Sequence, residues 1–132
     1  VTDAPGAPDA PPPAATDPDH AGAVAPLLVV TTLGSRDEAL ALGRALVEAR
    51  LAACAQVEAI HSVYRWQGAV HDEPEWRLLL KTRAGRWPMV EAAIRARHPY
   101  ELPAIHAIAT THAHAAYAAW VMDNADGPAP AA

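Results

Sequence analysis

Phenylalanine is absent from this chain, and cysteine occurs once. A lone thiol, Cys54, excludes an intramolecular disulfide framework and suits a reducing compartment, so a cytoplasmic setting is expected. No C-x-x-C pair exists to carry copper(I), and Met89 and Met122 are the only other sulfur ligands. The ten Lys and Arg residues form no stripe, which argues against nucleic acid as a partner. No run is long and apolar enough to span a bilayer, so no membrane association is expected. Also missing are a G-x-S-x-G elbow, a phosphate-cradling glycine loop and an H-E-x-x-H helix, so nothing marks the chain as an enzyme.

Proline, by contrast, is plentiful, with 13 residues gathered mostly at the two ends. Residues 1–25 are nearly all Ala, Pro, Asp, Gly and Thr, bury almost nothing, and are expected to be disordered. The segment 126–132 reads the same way. The amino-terminal stretch has no basic start and no apolar core, so it does not read as a secretory signal. Four units of the formal net charge of −5 belong to Asp3, Asp9, Asp17 and Asp19. The body, residues 26–125, is therefore almost neutral, and it is large enough for one core.

Within the body, Leu27–Thr32 is apolar and β-branched and reads as a buried strand. Ser35-Arg36-Asp37-Glu38 matches a capping box and starts an amphipathic helix on Ala39, Leu42, Leu46 and Ala49. Gly43 inside that helix implies close approach to a neighbouring strand. Leu51–Trp66 has strand character, with a bulge or bend expected near Ile60-His61-Ser62. Gln67-Gly68 turns it back, and Trp76–Thr82 after Pro74 is the second arm of a hairpin. Pro88 opens a helix carrying Trp87, Val90, Ala93 and Ile94 on its apolar stripe. A strand over Ala104–Thr110 follows, then a last helix marked by Ala113, Ala116, Tyr117, Trp120 and Val121.

This β-α-β-β-α-β order plus a terminal helix is the α+β, ferredoxin-like arrangement, one antiparallel sheet with helices on one face. The hairpin carries Val63, Tyr64, Trp66, Trp76 and Leu78-Leu79-Leu80, too much apolar surface for a half-covered sheet, which implies homo-oligomerisation.

Between the second helix and the last strand lies His98-Pro99-Tyr100-Glu101-Leu102-Pro103. Two prolines stop the helix and hold an imidazole, a phenol and a carboxylate on a stiff turn. With seven His and little sulfur, any bound metal is expected to be Cu2+ or Zn2+ on imidazole, and His98 is the leading ligand. Its structural alternative is to cap a helix end and hydrogen-bond across a subunit boundary. Tyr64, Trp66 and Tyr100, with Glu75, Lys81 and Glu101, are expected either to wall a ligand cleft between subunits or to pack an oligomer interface. Lys81 and Glu75 form a candidate ion pair within the sheet.

Five stretches, in order, resemble one family, the divalent-cation tolerance (CutA) proteins. They are Ala45–Ala55, Ser62-Val63-Tyr64-Arg65-Trp66-Gln67-Gly68, Glu75 with Leu80-Lys81-Thr82, the His98–Pro103 turn, and Tyr117-x-x-Trp120. The resemblance covers about Leu27 to Met122. It implies a cytoplasmic homotrimer of ferredoxin-like subunits packed sheet to sheet as in the PII-type signalling proteins, associated with tolerance to copper and other divalent metals, with no obligatory cofactor. It also implies a metal site built from His98, the residue before it and a first-strand cysteine. Here those last two positions are Arg97 and Thr31, a cation and a poor copper ligand. A small-molecule or protein partner in the inter-subunit cleft is the other function the resemblance allows.

Overall fold

A computed structural model describes residues 25–127; the expectations for 1–24 and 128–132 lie outside the described residues. Four strands and three α-helices follow one another as β1 (Leu27–Leu33), α1 (Arg36–Glu48), β2 (Cys54–Trp66), β3 (Ala69–Thr82), α2 (Trp87–Arg97), β4 (Ile105–Ala109) and α3 (Ala115–Asn124), with one 3-10 turn at Ala84–Arg86. The sheet order is β2-β3-β1-β4, and every pairing is antiparallel.

Alternation decides which face is covered. Val29, Thr31 and Leu33 of β1 and Leu78, Leu80 and Thr82 of β3 are buried, while their neighbours are half-buried. The buried set packs against Ala39, Leu42 and Leu46 of α1 and Val90 and Ile94 of α2, forming one core on one face of the sheet. Ser35 caps α1 as its sequence suggests: its hydroxyl accepts from the Glu38 N–H at 3.1 Å and donates to the Glu38 carboxylate. Gly43 faces the sheet, where a Cβ would lie 2.8 Å from the Ala55 Cβ and 3.0 Å from Leu78 Cδ1. The helix can approach this closely only without a side chain there.

Helix α3 packs differently from its sequence pattern. Its buried residues are Ala118 and Val121, and Val121 clusters with Ala125 and Ala53, whereas Tyr117 and Trp120 remain more than a third exposed. A run of alanines interrupted by two aromatics has no clear apolar stripe, so its facing was not set by period alone. The last carbonyls of α3 are satisfied from outside the helix. Arg50 donates to Asp123 O at 2.6 Å, Arg86 to Ala125 O at 3.2 Å and Arg83 to Met122 O at 3.4 Å. Arg50 also pairs with Asp126, and its carbonyl accepts from Gly127 N at 2.9 Å. Asp126 and Gly127 are thereby held against Arg50, just past the end of α1.

The hairpin is longer and more regular than expected. Gln67 (φ 50°) and Gly68 (φ 80°) make the turn, both in the left-handed region that matches the twist of a two-residue hairpin. Pairing then runs unbroken from Trp66–Ala69 to Cys54–Lys81, with no bulge at Ile60–Ser62. β3 passes through Pro74 instead of starting after it. β1 ends at Leu33 opposite Trp76, so at Pro74 no strand lies on that side to miss an N–H. Beyond this point β2 and β3 project as a two-stranded ribbon.

Among the described residues, one buried side-chain polar atom has no partner: Thr31 Oγ1, in a residue with no exposure. A hydroxyl buried without a hydrogen bond opposes folding, and valine has nearly the same shape. Thr31→Val is expected to raise stability by about 1 kcal/mol in urea unfolding. A loss of stability would show that this hydroxyl is satisfied in solution.

Candidate functional site

Three segments meet at the ribbon end of the sheet, on the face away from α1 and α2. Register places Ser62, Tyr64 and Trp66 of β2 and Glu73 and Glu75 of β3 on that face, along with Thr32 at the end of β1. The His98–Pro103 turn closes the third side. Tyr100 reaches past the end of β1 over Gly34, where an added Cβ would stand 3.3 Å from the Tyr100 hydroxyl. Together with Val63, Glu101, Leu102 and Ala104 these residues line an open cleft of about 630 Å3.

Five of the six cleft candidates, Tyr64, Trp66, Glu75, Tyr100 and Glu101, thus lie around one cavity. Lys81 does not. It lies six residues from Glu75 along the same strand, roughly 20 Å away at 3.3 Å per residue, and its ammonium stands over the Tyr117 ring, 5.6 Å from the centroid. The Lys81–Glu75 pair therefore does not form.

Inside the cleft the polar groups are arranged as phenol–carboxylate pairs. Tyr100 donates to Glu75 Oε2 at 2.9 Å, and Tyr64 donates to Glu73. Glu73 is the residue that sequence reasoning missed. The signal was present: a turn at Gln67-Gly68 pairs Ser62 with Glu73 and brings Tyr64 diagonally alongside, once the strand is carried through Pro74. Both phenols are harder to ionise than usual. The hydrogen bond to Glu73, followed by burial and the charges of Glu73 and Glu75, pushes Tyr64 up from 10.0 to about 12. Burial, and then the bond to Glu75 and the nearby charges, raises Tyr100 as well.

A group whose pKa is raised by folding contributes stability that is complete below its unfolded value and is lost as pH climbs through the folded one. Phenolate absorbance assigned to Tyr64, taken as the difference from Tyr64→Phe, is expected near pH 12, with Glu73→Gln moving it back towards 10.0. Ionisation of Tyr64 at its ordinary pH in the wild type would mean that the Glu73 bond does not hold the phenol proton.

His98 lies behind the cleft rather than in its lining. β4 stops at Ile105, opposite Thr31, so the Thr32 carbonyl has no strand donor on that side. The imidazole supplies one: Nε2–H donates to Thr32 O at 2.8 Å, while Nδ1 accepts from the Tyr100 N–H at 3.2 Å. The second bond fixes the tautomer. The ring also meets Tyr100 edge-on, with centroids 4.8 Å apart. Both nitrogens are engaged within one chain, and Arg97 beside it is exposed. Among the described residues no three His, Cys, Asp or Glu side chains could share one metal ion. The residues present thus do not fit a resident Cu2+ site at His98.

The other histidines among the described residues are dispersed. His114 caps α3 by accepting from Ala116 N at 3.1 Å, His112 contacts Thr111, and His61 pairs with Asp72 across the ribbon. Cys54, half-buried at the start of β2, borders a second groove with Leu40, Val47 and Trp120.

Comparison with known proteins agrees with this architecture. The family model described as CutA1 divalent ion tolerance protein matches residues 27–124. The divalent-cation tolerance protein CutA of Thermus thermophilus is 38% identical over 98 residues, covering 74% of this chain and 95% of that protein. The structure of CutA from Synechococcus elongatus superposes with a TM-score of 0.74 at 33% identity, covering 77% of this chain and 91% of that one. A structure described as the periplasmic divalent cation tolerance protein CutA from Archaeoglobus fulgidus gives 0.74 at 27% identity, over 76% and 98%. Among the described residues, no helix is long and apolar enough to cross a membrane. By the span of the family match and the level of identity, this chain belongs to the CutA1 divalent ion tolerance family.

Proposed function

We propose that this chain serves divalent-cation tolerance as a cytoplasmic homotrimer that binds a small molecule in the cleft between subunits. The observation that carries this reading is the cleft itself. Aromatic walls and convergent carboxylates line a volume suited to an organic ligand, while the strongest metal-ligand candidate has both ring nitrogens engaged. Assembly is supported by the outer edge of β2, a 13-residue strand that on that side has no neighbour among the described residues, and by exposed Val63, Val70 and Leu102 at the ribbon and turn. A neighbouring copy that covers those groups also closes the cleft.

The competing reading is a copper-binding trimer with His98 as ligand, which requires the imidazole to give up Thr32 or Tyr100. Calorimetric titration with Cu2+ separates the two. Weak binding, the same in His98→Ala as in wild type, is expected, with light scattering giving three times the 13.9 kDa chain mass. Tight binding near one ion per chain, lost in His98→Ala, would overturn the small-molecule reading in favour of the metal one.

A further inference from the structure

The cleft has a sign. Glu73, Glu75 and Glu101 line it, and no Lys, Arg or His among the described residues pairs with any of them. Glu75 is the informative one. It is only 7% exposed, and its sole hydrogen bond among the described residues comes from Tyr100 to Oε2; Oε1, which has no protein donor, is not enclosed and opens to the cleft. A carboxylate with no cationic partner and one oxygen open to a partly enclosed cleft is complemented by a cation beside it.

The size and walls of the cleft narrow the kind of cation. The carboxylates are not gathered closely enough for three of them to hold one metal ion. The volume of about 630 Å3 exceeds what an ion needs. Tyr64, Trp66 and Tyr100 provide ring faces, which attract ammonium and guanidinium groups through their quadrupoles.

On the reading that the cleft binds a small molecule, we infer that its ligand is an organic cation, whose ammonium or guanidinium group lies against Glu75 and the aromatic rings. Tyr100 is a positioning residue here: its hydroxyl holds Oε2, so the remaining oxygen is the one presented to the ligand. Glu101, exposed on the turn, adds long-range attraction at the mouth.

The test uses the full chain and three probe classes of similar size: butylammonium and ethylguanidinium, neutral butyramide, and anionic butyrate. Amide and indole shifts of Ser62, Trp66, Glu73 and Tyr100 are followed by NMR, with sodium chloride matched throughout. Saturable shifts with the two cations alone are expected, with affinity at least about tenfold weaker in Glu75→Gln. Glutamine keeps an acceptor for Tyr100, and Glu101→Gln gives a second, exposed variant with a smaller expected loss should Glu75→Gln fold poorly. Equal affinity in wild type and both variants would overturn the inference. Shifts caused by butyramide or butyrate but not by the cations would overturn the ligand class while keeping the cleft as a binding site. No shift with any probe would count against both. If Glu75→Gln then also lowers the oligomer mass, the occupant is a basic side chain of a neighbouring copy, and the inference fails.

Discussion

Leu78→Ala is expected to destabilise the protein by about 3–5 kcal/mol, the upper part of the range for a buried leucine. Leu78 is fully buried at the centre of β3, between Thr31 of β1 and Val57 of β2. What makes its site costly to vacate is the residue above it. Gly43 has no side chain to move into the gap, and the helix backbone is already as close as it can come, with a hypothetical Cβ 3.0 Å from Leu78 Cδ1. Cavities that cannot collapse cost the most. The same geometry makes the effect conditional. Gly43→Ala alone is expected to lose stability despite its better helix propensity, because its methyl meets Leu78 and the Ala55 Cβ at 2.8 Å. In the double variant that methyl enters the space left by the leucine. A coupling of about 1–2 kcal/mol in the double-mutant cycle is expected, measured by urea unfolding at one fixed protein concentration. Additive effects would mean that helix and strand are not in the contact described.

Thr82→Val is expected to cost about 1–3 kcal/mol, opposite in sign to the same change at Thr31. Both threonines are fully buried on the helix-facing side of neighbouring strands, and both changes keep the branched shape. The difference is what each hydroxyl meets. Thr82 Oγ1 donates to the Leu51 carbonyl at 2.7 Å, in the tight link that carries α1 into β2. Valine there leaves a buried carbonyl without a donor, and the full desolvation cost falls on the link. The unfolding midpoints of the two variants should fall on opposite sides of wild type. Two shifts of the same sign would show that hydroxyl partnership does not govern these positions.

The sequence disclosed much of this molecule, and the misses have a common cause. Element order, the Ser35 cap, the Gly43 approach and the helix stop at the Pro-bracketed turn each depend on neighbours within a few residues, where periodicity and backbone chemistry act. The Lys81–Glu75 pairing failed because a shared strand face is not proximity: an even spacing gives the same side, and six residues give a long distance. Glu73 escaped because the second arm is expected only after Pro74, over Trp76–Thr82, whereas the missing N–H of Pro74 falls where β1 has already ended and the strand runs through it. Roles for Tyr117 and Trp120 were not legible because alanine-rich helices admit several facings. The engagement of both His98 nitrogens could not be read from the turn itself, since one partner is the Thr32 carbonyl, sixty-six positions away in sequence.

The ribbon formed by β2 and β3 beyond Trp76 has a consequence for how the cleft behaves over time. Two strands alone are marginal in water, and Ser62, Val63, Tyr64, Trp66 and Glu73 all lie on this ribbon. The opposite wall rests on the core through Thr32, Glu75 and the turn held by His98. In a copy whose ribbon no neighbour covers, amide hydrogens of the two walls should therefore exchange with solvent at very different rates, quickly along the ribbon and slowly at the core side. A ligand that bridges Glu75 and Tyr64 slows the fast wall to the pace of the slow one. Binding is then recorded as protection acquired by one strand pair, even where no atom of the average structure moves.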